Sequence, residues 1–178
     1  MPVPESYRGC VSGMHFEGMA ETYSEARPPY PRAVYDVLRS TGVIGPGKHV
    51  LEIGAGSGLA TRDIVAAGSL VTAIEPGPRL AQLLHKAIPA ATVLRTRLEE
   101  VDLPGRRFDS VVAATAMHWV DLEVCLPKLH DALRERGWLA VWRTVFGNDA
   151  VATPFRRACG PNRGRTRDRA GERRPARG

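Results

Sequence analysis

Glu52 is followed by three glycines at alternate positions, Gly54, Gly56 and Gly58, in the stretch VLEIGAGSGLAT (50–61). An acid beside a turn of bare backbone can hold a ligand. Without a Cβ the main chain passes close beneath a bound molecule and adopts positive φ at little cost. Dinucleotide-binding turns use G-x-G-x-x-G, with the pyrophosphate resting on the N-terminus of the following helix. Here the third position of that pattern is Leu59. A carboxylate at position 52 also repels a pyrophosphate and attracts an ammonium group. Glu75 is the second candidate. It closes the run LVTAIE, 21 residues beyond Gly54, where an acid at the tip of a second strand accepts hydrogen bonds from both hydroxyls of a ribose. S-adenosylmethionine has an amino acid tail, a sulfonium and a ribose but no phosphate, and so suits both acids.

His118 and Trp119 form a further pair of interest. A histidine near neutral pH is a candidate general base, and a tryptophan offers an apolar, cation-attracting wall. The bland alternatives are a loop-orienting histidine and a core tryptophan. His15, His49, His85 and His130 are dispersed and read as structural or exposed. No Ser-His-Asp, Cys-His or metal-ligand spacing is evident. Cys10, Cys125 and Cys159 are odd in number and far apart, which points to reduced thiols in a cytoplasmic protein rather than a disulfide framework. No apolar run approaches the length of a membrane span, and the first residues lack a signal-peptide core.

The elements that position these residues alternate in type. After 14 residues expected to be disordered, FEGMAETYSEARPPYP suggests a helix with Phe16, Met19, Ala20 and Tyr23 on one face, ending before Pro28. Pro31 suits the first turn of a second helix, with Val34, Val37 and Leu38 as its apolar stripe and Gly42 as its cap. Five apolar strand runs follow: HVLEIG, LVTAIE, TVLRT, FDSVVAATA and GWLAVWRTVF. Between them lie the helical segments GLATRDIVAAG, GPRLAQLLHKAI and DLEVCLPKLHDALRERG, the last broken or started at Pro127. This alternation predicts an α/β domain: a Rossmann-like, doubly wound parallel sheet with helices on both faces. Its span is about residues 15–155.

VLEIGAGSGLAT, VTAIEP and FDSVVAATAMHWVD resemble the first, second and fourth motifs of the class I S-adenosylmethionine-dependent methyltransferases. FEGMAETYSEARPPYP and AMHWVD resemble the small-molecule branch, which includes trans-aconitate and ubiquinone/menaquinone methyltransferase-like proteins. The resemblance runs from about Phe16 to Phe155. It implies S-adenosylmethionine as cofactor and a small-molecule methyl acceptor. It also implies roles for individual residues. Glu52 would organise the turn and meet the methionine end. Gly54, Ala55 and Gly56 would pass beneath the ligand. Glu75 would bind the ribose, and Pro76 would lie near the adenine. Leu98 and Glu99 match the position that binds the adenine amine. Ala114 and Thr115 would lie near the methionine portion. Tyr23 and Arg27 would help close the site, with Arg27 pairing the methionine carboxylate.

The resemblance implies seven strands in the order 3-2-1-4-5-7-6, of which the first five are legible and the last two missing. An apolar fifth-strand edge with Leu139, Val141 and Val145 would then stand uncovered and invite self-association. Residues 156–178 carry nine arginines against Asp168 and Glu172, while the remainder of the chain has 16 basic and 17 acidic residues. The body therefore has no basic footprint for nucleic acid. This tail holds no large apolar residue and is expected to be disordered. It reads either as a basic arm for RNA, DNA or an acidic partner or as the product of a frame change near residues 157–160. The abrupt end of the periodicity favours the frame change.

Overall fold

The computed structural model describes residues 27–144. The expected helix through Tyr23, the expected disordered N-terminus 1–14, the end of the domain at 155 and the arginine-rich tail 156–178 lie outside the described residues. Nine elements and one 3-10 turn make up the fold: α1 (Arg32–Ser40), β1 (His49–Ile53), α2 (Leu59–Ala66), β2 (Leu70–Ile74), α3 (Pro78–Ala87), β3 (Thr92–Leu94), β4 (Phe108–Ala114), the turn Met117–Trp119, α4 (Leu122–Ala132) and β5 (Leu133–Trp142).

The five strands form one sheet in the order β3-β2-β1-β4-β5, and every pairing is parallel. Both faces are covered, as a parallel sheet requires. Side chains of a strand alternate between faces, and the two apolar clusters follow that alternation. Val50, Val71, Ala73, Val112 and Ala114 pack with Tyr35, Leu38, Ile64 and Leu84 from the helices α1, α2 and α3. Leu51, Ile53, Ile74, Val111 and Ala113 pack with Cys125, Leu129 and Ala132 of α4. The continuous apolar run Val111-Val112-Ala113 is completely buried because each of its faces meets a helix layer.

Local chemistry sets most boundaries as the sequence suggests. Pro31 precedes the first turn of α1, and Gly42 follows its end at φ 73°. Asp121 caps α4, its side chain accepting from the N–H groups of Glu123 and Val124. Pro127 lies within α4, which neither breaks nor starts there.

Two expectations are corrected. In α1 the inward residues are Tyr35 and Leu38, while Val37 is 59% exposed. Tyr35 is larger than Val37 and reaches the cluster from the same helix face as Leu38, so the stripe turns toward it. At the other end, α4 stops at Ala132 and does not run through Arg134–Arg136. Leu133 already pairs with Phe108, four residues before the strand expected at Gly137. Arg134 Nη1 donates to Asp109 Oδ1 at 2.8 Å, Arg136 turns at φ 61°, and a Cβ at Gly137 would lie 2.9 Å from the Arg134 carbonyl oxygen. That crowding keeps glycine at 137 and lets helix pass to strand without a loop.

Among the described residues β5 is an edge strand, with Trp138, Leu139 and Val141 between 39% and 53% exposed; Val145 is not among them. No described helix is long and apolar enough to cross a membrane.

Leu51 is fully buried at the centre of the sheet. Leu51→Ala is expected to lower unfolding free energy by about 2–5 kcal/mol, read as a shifted urea midpoint at unchanged slope. A loss below about 1 kcal/mol would contradict this placement of the core.

Candidate functional site

The strand ends converge on one cleft, as the C-terminal edge of such a sheet does. Ile53 and Gly54 leave β1, Glu75 leaves β2, and Ala114 and Thr115 leave β4; all line the cleft, which encloses about 810 Å³ counting its open mouth. Its far wall is apolar, formed by Ile74, Leu80 and Leu98, with Pro76 beside them. A smaller lobe, sharing part of this lining, holds Glu52, Ala55, Ser57 and Tyr30. Arg27, Gly54, Gly56 and Ala114 border both lobes. Both lobes thus meet at the glycine turn, the smaller one holding Glu52 and the larger one Glu75.

The glycines serve different ends. A Cβ at Gly54 would lie 2.6 Å from the Ala116 Cβ, so glycine lets β1 and the β4 exit approach. A Cβ at Gly58 would meet Leu84 Cδ1 at 2.6 Å and Ile88 Cδ1 at 2.8 Å, so glycine seats the turn against α3. Gly56 has φ 59°, and nothing lies within 4 Å of the point where a Cβ would stand. Its conformation favours glycine, and the room above it is what a ligand beneath which backbone passes would need.

Glu75 is buried, and its two oxygens have different partners. Oε2 accepts from the Gly56 N–H and Oε1 from the Gly77 N–H, each at 2.8 Å. The carboxylate therefore ties the first glycine turn to the second. An ionised carboxylate is an acceptor-only group with two oxygens, the kind of partner to which the hydroxyls of a diol donate. Glu52 is 1% exposed and accepts from Thr61 Oγ1 at 2.7 Å. Burial pushes its pKa up to about 8; the Thr61 hydroxyl opposes the shift, and nearby Glu75 adds to it. The acid in the smaller lobe is thus held largely protonated at neutral pH.

Arg27, the first described residue, donates to Tyr30 Oη at 3.0 Å and lies 5.7 Å from its ring centre. Tyr30 Oη pairs with Thr115 Oγ1 at 3.0 Å, and its ring meets Trp142 edge-on. Thr115 has φ 60°, uncommon for a β-branched residue. Its N–H donates to the Trp142 carbonyl at 2.7 Å, and its Oγ1 accepts from the Thr144 N–H at 3.4 Å. Cleft wall and β5 end are therefore fastened through one threonine.

Beyond β3, Arg97 Nε lies 3.5 Å from Glu99 Oε2, and Glu99 Oε1 accepts from the Asp121 N–H. Trp119 borders the cleft and packs against the His118 ring at 4.6 Å. His118 itself is exposed and is not among the lining residues. Partial burial, with Arg143 and Arg27 nearby, holds its pKa below the usual histidine value, which favours the neutral imidazole. Among the described residues no cluster of metal-ligating side chains occurs.

Of the residues singled out in the sequence, Glu52, Gly54, Ala55, Gly56, Glu75, Pro76, Leu98, Glu99, Ala114, Thr115, Arg27 and Trp119 border the two lobes. His118 stands at the rim, and Tyr23 lies outside the described residues. Sequence reasoning passed over Tyr30, Thr61 and Arg97. Thr61 carries a signal in retrospect: three residues beyond Gly58, it projects from the first turn of α2 back toward the end of β1.

The Glu52 carboxyl predicts a pH dependence of stability. The folded state binds its proton more tightly than the unfolded state, so the unfolded chain holds fewer protons between about pH 4.5 and 8. Stability then falls as pH rises through that window, by at most about 1.4 kcal/mol per unit for one proton. Glu52→Gln is expected to remove this slope, gaining on the wild type in urea melts at pH 8 relative to pH 5. Parallel curves for the two proteins across that range would contradict the assignment.

Residues 51–141, about half of the chain, match the family model described as a methyltransferase domain. An uncharacterized methyltransferase of Mycobacterium tuberculosis is 33% identical over 132 residues, covering 74% of this chain and 53% of the relative. An uncharacterized methyltransferase-like protein of Schizosaccharomyces pombe is 28% identical over 124 residues, covering 68% and 48%. The chain spans about half the length of the curated relatives it matches. Among solved structures, one proposed to be a type II methyltransferase from Anaeromyxobacter dehalogenans is 30% identical with TM-score 0.57, covering 67% of this chain and 50% of that one. Another, proposed to be an S-adenosyl-L-methionine-dependent methyltransferase from Methanococcus maripaludis, shares the fold at 13% identity with TM-score 0.59, over 76% and 63%. The glycine turn after β1, the acid after β2 and the five-strand order thus coincide with the matched region, and the chain belongs to the methyltransferase-domain family, with the fold of the class I S-adenosylmethionine-dependent methyltransferases.

Proposed function

We propose that the cleft binds S-adenosylmethionine and that the domain serves methyl transfer to a small-molecule acceptor. The observation that carries this reading is the placement of two buried acids in two adjoining lobes that share Gly54 and Gly56 of the glycine turn. Glu52 lines the smaller lobe, where an ammonium group is the complementary partner; Glu75 lines the larger lobe, where an acceptor-only carboxylate suits the hydroxyls of a ribose. Arg27 borders both lobes and supplies a positive charge for a carboxylate. The apolar wall of Ile74, Leu80 and Leu98 suits a planar base. No phosphate-binding cluster of N–H groups is needed, and an acid occupies the place where a pyrophosphate would approach.

The cofactor supplies an activated methyl group on sulfur, open to in-line displacement by a nucleophile. The protein's share is alignment and exclusion of water. Thr115, held at positive φ between Tyr30 and the β5 end, fixes the wall beside the transferring group. Trp119 supplies an aromatic face at the mouth, where a sulfonium or an apolar acceptor gains from contact. An acceptor that must lose a proton would find a neutral imidazole at His118, whose pKa is lowered by burial and by two arginines. A carboxylate acceptor would need no base.

Calorimetric titration with S-adenosylhomocysteine tests the reading. Saturable one-to-one binding is expected, with Glu75→Ala weakening it at least about 100-fold, the loss of two hydrogen bonds to a charged group. A folded sample that does not bind, or a Glu75→Ala variant that binds equally well, would overturn it.

A further inference from the structure

Lys128 lies on α4 beside the buried residues Cys125 and Leu129 and does not border the cleft. Its Nζ donates to three main-chain oxygens: Leu98 O at 3.0 Å, Glu99 O at 2.8 Å and Val101 O at 2.9 Å. An ammonium has three donors, and all three are spent on one short turn. That turn is closed from the inside, with the N–H groups of Glu100 and Val101 both donating to Arg97 O. It behaves as a single helical turn whose final carbonyls lack intrahelical partners, and a cation is the favoured cap for such an end. The same turn presents Leu98 and Glu99 to the larger lobe. A second tie runs from its Glu99 carboxylate to the Asp121 N–H at the start of α4.

We propose that Lys128 is a positioning residue for base recognition: it fixes the turn 97–101 so that Leu98 and Glu99 are pre-set against the base of the bound nucleoside. The inference rests on the cofactor reading above. Lys128 touches no ligand. Its effect passes through the carbonyls it gathers, which fix the orientation of the adjoining peptide planes and so the direction of the groups facing the cleft. Preorganisation of this kind matters most for interactions that depend on direction, namely hydrogen bonds to the edge of the base, and least for the amino acid tail in the other lobe.

The experiment compares S-adenosylhomocysteine with its inosine counterpart, in which the base amine is replaced by a carbonyl, as ligands for the wild type, Lys128→Met and Lys128→Arg. The wild type is expected to prefer the adenine form by about tenfold or more, the worth of one directed hydrogen bond. Lys128→Met keeps the stem and removes the ammonium; its preference should fall to near unity, with binding of the inosine form changed less than about threefold. A purely structural role would weaken both ligands in parallel and leave their ratio unchanged, and that result would overturn the proposal. Should Lys128→Met fail to fold, Lys128→Arg decides by the same ratio. Its planar fork keeps the charge but cannot meet three carbonyls at once, so a reduced preference is expected and an undiminished one would count against the proposal. A wild type that binds neither ligand would instead refute the cofactor reading, and this inference with it.

Discussion

A carboxyl group buried at the end of the central strand is the constraint around which this site is arranged. Glu52 sits where β1 gives way to the glycine turn and is almost without solvent contact. Burying an acid costs free energy unless it is protonated or partnered. Here it is partnered by the Thr61 hydroxyl and held largely as the acid by its surroundings, with a second carboxylate, Glu75, adding to the penalty for ionisation. A cation beside Glu52 would relieve that penalty, which is what the proposed binding of an ammonium group supplies. Glu75 differs in kind: two backbone N–H groups hold it, and it serves as the strut between the turns that follow β1 and β2.

The sheet makes this arrangement available. Parallel strands in the order β3-β2-β1-β4-β5 bring the ends of β1, β2 and β4 side by side, and the helices bury most of β1 and β4 beneath them. The glycines then settle distances that side chains could not: Gly54 brings the turn against Ala116, and Gly58 brings it against α3. On the other face α4 packs Cys125 and Leu129 into the core and, through Lys128 and the start of the helix, holds the turn after β3. One helix thus contributes both to stability and to the shape of the cleft.

Most of the sheet was legible in the sequence because continuous apolar runs such as Val111-Val112-Ala113 are what a strand covered on both faces requires. The glycine turn and its two acids were legible because residue type and spacing carry chemistry directly. The passage from α4 to β5 was not. LRERG reads as a helix end by composition, and only the pairing of Leu133 with Phe108 and of Arg134 with Asp109 makes it strand. The inward turn of Tyr35 in place of Val37 likewise depends on which neighbour has room. The links Tyr30–Thr115 and Lys128 to the turn 97–101 join residues far apart in sequence, through hydroxyls and carbonyls that no local pattern announces.

The proposed pairing of Glu52, buried as a protonated acid, with a positively charged ligand group is tested most directly by a proton count. S-adenosylhomocysteine titrated at pH 7 in two buffers of different ionisation enthalpy reports the protons exchanged per ligand bound. With the Glu52 pKa pushed up to about 8 in the free protein and lowered by an ammonium beside it, release of up to about one proton is predicted, and Glu52→Gln should abolish it. Tight binding with no proton released, or an undiminished release from the glutamine variant, would contradict the account.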